Sequence, residues 1–309
     1  MNHHLKRTLT LLLRVAVTLL VFWLIFRNIN LDGVLQTMLG AEPGLLLLGL
    51  LFQLASTLLA SWRWKLVMQR LGFGQDFVFY LRSYFKGSFF NQGLPTSIGG
   101  DALRVLDVAR TGHRKRDAFY GVAADRGLGL AGLLVFNLLA LQANPDLLPH
   151  QVFLAINGLV SLGIAGFAVL ILLHKLRWLE RVPLLTVFLR ISRCLGQVLH
   201  GARPFAVQFS LSLLIHLLSL LCIYFIGQSV GLPFGVWTYM VIVPPVILLT
   251  LVPVSLAGWG VREGGMIGLF ALIGADQTLV LSMSILYGVI LIVSSLPGLY
   301  AYLTGKHHL

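Results

Sequence analysis

Charged residues are scarce in this sequence of 309 residues. Aspartate, glutamate, lysine and arginine make up 11% of the chain, whereas a typical soluble domain has roughly 25%. A water-soluble fold of this size needs more charged surface than this composition provides. The shortage argues against an ordinary soluble domain and predicts that much of the surface faces hydrocarbon.

Cysteines are also few, and no metal-binding pattern accompanies them. The two cysteines, Cys194 and Cys222, form neither a metal-ligand motif nor a disulfide framework. The sequence contains no paired-carboxylate motif of the Asp-x-Asp type. We therefore expect no metal and no cofactor, and we assign no catalytic residue.

Long apolar stretches are abundant instead, and 57% of the residues are hydrophobic. Several stretches reach about 20 residues, which is the length that crosses roughly 30 Å of hydrocarbon as a helix. The predicted full spans are residues 8–26, 44–62, 119–142, 151–173, 205–230 and 279–303. The sequence therefore predicts an all-α, polytopic membrane protein.

The formal net charge of +12 comes from basic residues in short loops between apolar stretches. This distribution favours cytoplasmic loops near anionic lipid over nucleic-acid binding. If residues 77–94 crossed the membrane completely, the basic clusters at 110–116 and 175–203 would face outside. A re-entrant hairpin at about 77–110 restores the positive-inside rule and places the N-terminus in the cytoplasm.

A second interrupted segment lies near the C-terminus. The apolar residues 235–252 lead into Pro253, and the following piece, 262–273, is too short to cross a bilayer alone. We therefore predict a second re-entrant hairpin at about 235–276, which enters from the outside. The last span then runs inward, so that the C-terminus also lies in the cytoplasm.

An internal repeat connects the two predicted hairpins. The segment PTSIGGDALR, which begins at Pro95, aligns without gaps on PVSLAGWGVR, which begins at Pro253. Residues 1–142 and 143–309 then each follow the order span, span, hairpin, span, with opposite orientations. An inverted repeat within a single membrane domain is typical of secondary transporters, whose substrate sites lie where broken helices meet.

The repeated tips have the chemistry of an anion site. Proline ends a helix, glycine permits a tight turn, and serine can cap the outgoing helix, whose N-terminus attracts anions. Arginine offers paired donors to phosphate. The predicted headgroup-binding residues are Arg104, Arg262, Ser97, Ser255, Gly99, Gly100, Gly258, Asp101 and Glu263. The predicted supporting or cavity-lining residues are Asn91, Asp125, Arg126, Pro95 and Pro253.

Purely structural interpretations of these charges stay open. Arg104 has Asp101 and Asp107 within reach as ion-pair partners, and Arg262 has Glu263. A shared anionic ligand is the other interpretation, and the repetition of the motif favours it.

Three further groups of residues have either two interpretations or a purely structural one. Asp125 and Arg126 either pair with each other or line the cavity. Asn91 and Gln92 either orient a headgroup or cap a helix end. Arg63 and the basic residues that follow it, beside two tryptophans, are interpreted as an anchor at the membrane interface.

Three segments carry a family resemblance: GLPTSIGGDALR at 93–104, DRGLGL at 125–130 and PVSLAGWGVRE at 253–263. They resemble the transmembrane domain of lysylphosphatidylglycerol synthase/flippase proteins, over essentially the whole chain. The bifunctional members make aminoacylated phosphatidylglycerol and move it to the outer leaflet. They carry a soluble aminoacyltransferase domain after the membrane part, whereas this sequence ends at Leu309. The resemblance therefore implies lipid translocation without lysyl transfer.

The leading hypothesis is a flippase that moves an anionic phospho- or polyprenyl-phosphate lipid across the cytoplasmic membrane. The alternative is a membrane enzyme, with Asp101 and Glu263 as its candidate carboxylates. An accessory subunit of a polyprenyl-linked glycan or envelope-lipid pathway is a third possibility. The expected partners are therefore membrane lipids, with envelope-lipid or glycan synthesis enzymes as candidate protein partners.

Overall fold

A computed structural model describes residues 15–16, 18–20, 23–25, 27, 29–93, 99–182, 185–252, 255 and 258–305. These residues form helices joined by turns, and none of them belongs to a β-strand. Most of the first predicted span, 8–26, lies outside the described residues, although those described between 15 and 27 are helical.

The α-helices that have defined bounds are α1 Leu31–Leu39, α2 Pro43–Arg70, α3 Phe77–Gly93, α4 Gly99–Arg110, α5 Lys115–Ala143, α6 His150–Leu172, α7 Thr186–Val198, α8 Ala202–Ser229, α9 Val236–Thr250, α10 Val261–Ala271 and α11 Gln277–Thr304. Short 3-10 helices cover Leu173–Lys175 and Arg177–Arg181.

Five helices of the described chain are long and apolar enough to cross a bilayer, namely α2, α5, α6, α8 and α11. They coincide with the five predicted spans that follow the first one. Each has at least 26 residues once α6 is counted with its 3-10 extension, or about 39 Å at 1.5 Å per residue. The chain is therefore a multi-pass helical membrane protein.

Helices α3 and α4 form an antiparallel pair. At one end the Gly100 amide donates to Asn91 Oδ1 at 2.7 Å, and at the other end Gln75 Nε2 donates to Thr111 Oγ1 at 2.9 Å. The start of α3 and the end of α4 therefore lie close together.

Helices α9 and α10 form a second antiparallel pair. The Tyr239 and Phe270 rings pack at 5.5 Å between centroids, and Gly265 lies against the Val246 side chain. Both pairs coincide with the segments that the sequence predicts as hairpins.

Helices α1 and α7 were not predicted from the sequence. The side chain of Asn30 caps α1 by accepting from the amides of Asp32 and Gly33 at 3.0 and 3.5 Å. In α7 the buried residues recur at intervals of three, at Leu189, Ser192, Leu195 and Val198. A search for continuous apolar runs misses such a half-buried helix, so the region appeared only as a basic connector.

The helix contacts between residues 1–142 and residues 143–309 follow a reciprocal pattern. Helix α2 packs against α8, α3 packs against α11, and α5 packs against α9. Helix α4 packs against α5 just as α10 packs against α11. If α2 to α5 are matched in order with α8 to α11, the α3–α11 contact corresponds to the α5–α9 contact, the α4–α5 contact corresponds to the α10–α11 contact, and the α2–α8 contact corresponds to itself.

The contact between α3 and α11 brings two backbones together. A Cβ atom built on Gly298 would lie 2.0 Å from the Phe85 carbonyl oxygen, so a side chain of any size forces the two helices apart. We expect Gly298→Ala to lower stability by about 1–3 kcal/mol through overpacking. Thermal unfolding of the detergent-solubilised protein measures this effect.

The matched control is Gly268→Ala on α10, where nothing lies within 4 Å of the added atom. Because alanine favours helix by about 1 kcal/mol over glycine, this control should keep or raise the unfolding temperature. Equal unfolding temperatures for the two variants would contradict the close approach of α3 and α11.

Candidate functional site: a buried arginine–carboxylate cluster beside a polar cavity

Arg104 of α4 is the central cation of the site, and it is only 2% exposed. Its guanidinium carbon lies 4.0 Å from the ring centroid of Trp64 and 4.7 Å from that of Tyr84. Nη1 donates to Asp101 Oδ1 at 3.0 Å, and Nη2 donates to Asp125 Oδ2 at 2.7 Å. Pairing of this kind is required because an isolated buried charge is costly.

Asp125 of α5 links Arg104 to a second buried arginine. Its Oδ1 accepts from Arg63 Nε at 3.1 Å, and its backbone carbonyl accepts from Arg63 Nη2 at 3.1 Å. Arg63 Nη1 donates to Ser212 Oγ of α8 at 3.0 Å. The interpretation of Arg63 as an interfacial anchor is therefore wrong, since the residue is 4% exposed and connects α2, α5 and α8.

Arg126 occupies the outer side of the cluster, with its side chain 47% exposed. Its Nε and Nη2 form a two-pronged contact with Asp101, at 2.7 and 3.0 Å. Asp125 and Arg126 do not pair with each other, because adjacent residues on a helix point about 100° apart. Three arginines and two aspartates thus give the cluster an excess of one positive charge.

A polar cavity of about 140 Å³ opens beside this cluster. Its walls come from α2, α3, α4, α5 and α11. The lining residues are Gln53, Thr57, Tyr84, Gly87, Ser88, Asn91, Gln92, Asp101, Arg104, Arg126, Leu291, Ser294 and Ser295. The volume corresponds to four or five waters at about 30 Å³ each, which is enough for a small polar group.

Two polar atoms of the lining residues are buried without a hydrogen-bond partner among the described residues. They are the Nε donor of Arg104 and the Oε1 acceptor of Gln53. A buried polar atom without a partner costs about 1–3 kcal/mol, so water or a ligand is expected at both. Two residues that line the cavity thus each have a buried polar atom for which the described part of the protein supplies no partner.

The second predicted tip has a more closed arrangement. Arg262 Nε and Nη2 donate to Glu263 Oε1 at 3.0 and 2.6 Å, and Ser284 Oγ donates to the same oxygen at 3.2 Å. Glu263 Oε2 accepts from the Gly260 amide at 2.6 Å. The Arg262 guanidinium also lies 4.6 Å from the ring centroid of Trp259. Both predicted arginines are thus buried, paired with carboxylates and stacked on aromatic rings.

The structural ion pairs considered in the sequence analysis are therefore present, with one exception. Arg104 pairs with Asp101 and Arg262 pairs with Glu263. Asp107 contacts Lys86 at 2.5 Å instead of Arg104. These pairs leave a role in ligand binding open at Arg104, because its Nε faces no described acceptor.

The tip residues themselves are described only in part. Pro95, Ser97 and Pro253 lie outside the described residues. Ser255 is 4% exposed, and its hydroxyl has no partner among the described residues. It does not cap α10, because the cap is Gly260 and Glu263 accepts that residue's amide proton.

The glycines and Asn91 take clear structural roles. Asn91 accepts from Gly100 in the first turn of α4, so of its two interpretations the structure shows the cap. A Cβ atom on Gly100 would lie 2.0 Å from the Gly87 carbonyl oxygen, so glycine is required there. Gly99 is the first residue of α4, and Gly258 has a φ of +83°, which favours glycine.

Helix α11 connects the two arginine sites. Arg262 contacts Ser284 of this helix, and its guanidinium lies 5.5 Å from the Tyr287 ring centroid. The cavity beside Arg104 is lined by Leu291, Ser294 and Ser295 of the same helix. The sites are offset by roughly seven residues, or about 10 Å along the axis.

Several contributors were missed from the sequence. Gln53, Trp64, Ser294 and Ser295 lie within apolar helices and carry no motif. Arg63 had a detectable signal, because the apolar residues Ala60 and Val67 lie three positions before it and four after it, which places all three on one helix face.

The sequence profile of the transmembrane region of lysylphosphatidylglycerol synthase matches residues 11–298. A comparison with curated proteins found no match. Because the match covers nearly all of the chain, the chain belongs to this transmembrane family, as the resemblance in its sequence implies.

The free energy of unfolding should depend on charge pairing within the cluster. Asp125→Asn leaves Arg63 and Arg104 buried without their shared counter-ion, so we expect a loss of about 3–5 kcal/mol. Addition of Arg63→Gln should recover part of the loss by removing one uncompensated charge. Thermal unfolding of the single and double variants measures the coupling.

The control for this series is Asp146→Asn, in an exposed loop, where a change within about 0.5 kcal/mol is expected. If the losses from Arg63→Gln and Asp125→Asn simply add, the two residues are not coupled, and the description of the cluster is wrong.

Proposed function

We propose that this member of the lysylphosphatidylglycerol synthase transmembrane family moves an anionic lipid between the leaflets of the cytoplasmic membrane, with its headgroup phosphate bound beside Arg104. The observation that carries the proposal is the polar cavity between membrane helices, bordered by a cluster with one positive charge in excess.

A phosphate group matches the donors of this site. Arg104 Nε is buried and has no described partner, and Arg126 lines the cavity with a partly exposed guanidinium. Phosphate oxygens accept strong, charge-assisted hydrogen bonds from guanidinium groups. Asp101 holds both arginines in place without cancelling the charge of the cluster. A bound phosphate monoanion would neutralise the remaining positive charge.

A lipid is favoured over a soluble anion because of where the cavity lies. Its walls include α2, α5 and α11, which are all candidate membrane spans. Leu47, Leu51 and Leu58 of α2 are 43–56% exposed, as expected for side chains that face lipid tails. A headgroup in the cavity would thus leave its hydrocarbon chains in the bilayer.

The two antiparallel helix pairs support an inverted repeat. Neither the helices of α3–α4, with 17 and 12 residues, nor those of α9–α10, with 15 and 11, reach the roughly 20 residues of a full crossing. The equivalence of helix contacts between the two halves supports the same arrangement. In this proposal the two helix pairs enter the membrane from opposite faces. Arg262 then provides a second headgroup-binding position, about 10 Å along α11 from the first.

Asp101 and Glu263, the candidate carboxylates of the enzymatic alternative, already accept hydrogen bonds within the protein. Both oxygens of Asp101 accept from arginines, and both oxygens of Glu263 accept hydrogen bonds. A general acid or base needs a carboxylate that reaches its substrate. Transport is therefore the better-supported function, while association with envelope-lipid or glycan enzymes stays a prediction.

Substitution of the arginines tests the proposal. In proteoliposomes that report lipid by leaflet, Arg104→Gln and Arg126→Gln should each slow transport of an anionic lipid about tenfold or more, because each removes charge-assisted hydrogen bonds to phosphate. Arg126→Gln is the safer variant for folding, since its side chain is 47% exposed.

Arg110→Gln provides the matched control. Arg110 lies on the same helix as Arg104, but its side chain is 75% exposed, so its removal should leave the rate unchanged. Wild-type rates in both Arg104→Gln and Arg126→Gln would refute the proposal.

Single cysteines test the proposed topology after both native cysteines are replaced. Gly74→Cys and Lys115→Cys flank the α3–α4 pair, and both should be shielded from an impermeant thiol reagent added outside intact cells. Asp146→Cys and Gly235→Cys should react from outside. All four positions are exposed in the structure, so reactivity should report the side of the membrane. Reaction of Gly74→Cys and Lys115→Cys from opposite sides would exclude a re-entrant pair.

A further inference from the structure

One end of the helix bundle carries a strongly basic surface. Residues 110–117, at the junction of α4 and α5, and residues 174–203, between α6 and α8, contain ten lysines and arginines but only two acidic residues. The Arg190 guanidinium of α7 lies over the Tyr120 ring of α5, so the two segments lie together. We call them the basic surface.

Two arginines of the basic surface share one aromatic ring. Arg116 Nε donates to the Tyr120 hydroxyl oxygen at 3.1 Å, and the guanidinium carbon of Arg116 lies 5.9 Å from the ring centroid. The guanidinium carbon of Arg190 lies 5.7 Å from the same centroid. Tyr120 is only 5% exposed. A buried ring therefore holds two cations near each other, and we call this group of three residues the Tyr120 site.

The two guanidinium groups of the Tyr120 site lack a counter-ion in the described structure. Neither forms an ion pair with a described acidic residue. Glu180 pairs with Arg193 instead, and Asp117 pairs with neither arginine although it follows Arg116 in the sequence. Two like charges held near one ring repel each other. A bound anion would relieve that repulsion.

The start of α5 adds to the positive potential at the same place. Lys115 and Arg116 occupy its first turn, and no side chain caps this end of the helix. A helix N-terminus carries roughly half a positive charge, so basic residues are unfavourable there. Asp117, also in the first turn, offsets only one of these charges. The first turn thus keeps an excess of positive charge.

Large apolar side chains are exposed among the basic residues of this surface. Those that are 38–65% exposed are Phe119, Leu176, Trp178, Val182, Val187 and Phe188. Only three residues separate α7 from the membrane span α8, so α7 is held beside the bilayer. Basic and large apolar side chains side by side are typical of segments that lie in the boundary between headgroups and acyl chains. The adjoining leaflet therefore matches both the charge and the apolar side chains.

We propose that the basic surface binds anionic lipid of the leaflet that adjoins it, and that Arg116 and Arg190 share one lipid phosphate at the Tyr120 site. Guanidinium groups form strong, charge-assisted hydrogen bonds with phosphate oxygens. The exposed apolar side chains then contact the acyl chains of this lipid and its neighbours. The lipid is a resident of the protein surface and is not the transported molecule.

The Tyr120 site is separate from the cavity beside Arg104. The described residues that line the cavity include neither Arg116 nor Arg190. Tyr120 precedes the lining residue Arg126 by six positions on α5, or about 9 Å along the helix axis. Variants of one site can therefore be tested without changing the other.

Binding of dioctanoyl phosphatidic acid to the purified full chain tests the proposal, with native mass spectrometry and the unfolding temperature as readouts. All variants carry Arg126→Gln, which weakens the contribution of the cavity. Addition of Arg116→Gln/Arg190→Gln should weaken binding about tenfold or more, because it removes the charge-assisted hydrogen bonds to phosphate. Without lipid, this double substitution should keep or raise the unfolding temperature, since it relieves the repulsion between the two cations. The lipid should then stabilise the parent and not the double variant.

Arg181→Gln/Arg203→Gln is the matched control. It removes the same charge from exposed positions of the basic surface and should weaken binding about twofold at most, because solvent and salt screen exposed charges. Equal weakening by the two double variants would show diffuse attraction and overturn the Tyr120 site. A lower unfolding temperature for Arg116→Gln/Arg190→Gln, with unchanged lipid binding, would show a purely structural role and also overturn it.

Two further probes separate the lipid from other anions. Soluble glycerol 3-phosphate should bind at least about tenfold more weakly than dioctanoyl phosphatidic acid, because it has no chains to contact the apolar side chains. Equal binding would assign a soluble phosphate compound in place of a lipid. Tighter binding of poly-glutamate than of the lipid would assign an acidic protein partner. Either result would overturn the proposal and leave transport through the cavity unaffected.

Discussion

The contact of Asp125 with two arginines is the interaction on which the rest of the site depends. A charge buried between membrane helices needs a counter-ion, and this carboxylate serves Arg63 of α2 and Arg104 of α4 at once. Through Ser212, Arg63 also engages α8. Four helices are thereby held in one arrangement, and Arg104 is fixed with one donor directed away from its carboxylate partners. The position of Arg104, on which the proposed anion site depends, thus follows from a structural requirement.

The outline of the fold could be predicted because it depends on simple quantities. The length of an apolar run decides whether a helix can cross hydrocarbon, and five described spans agree with this criterion. The α3–α4 and α9–α10 pairs were predictable because their segments contain charges or a proline and are short. Helix α7 was not, because its apolar residues occupy one face and never form a continuous run.

The site was predictable only where its residues share a motif. Arg104 and Asp101 lie three residues apart and pair as considered. The bond from Arg63 to Asp125 joins residues 62 positions apart, and neither local spacing nor charge topology indicates it. At the start of α10, the Gly260 amide donates to Glu263 and not to the predicted cap, Ser255. Long-range pairing depends on helix packing, which a single sequence does not specify.

The central claim is that a lipid phosphate occupies the cavity and uses the donor that the described residues leave free. The most direct measurement is a high-resolution cryo-electron microscopy structure of the full chain in nanodiscs that contain phosphatidylglycerol. The account predicts phosphate density within hydrogen-bonding distance, about 2.7–3.0 Å, of Arg104 Nε, with the acyl chains extending into the bilayer. A well-resolved cavity that contains only ordered water, with the lipid phosphates elsewhere, would contradict it.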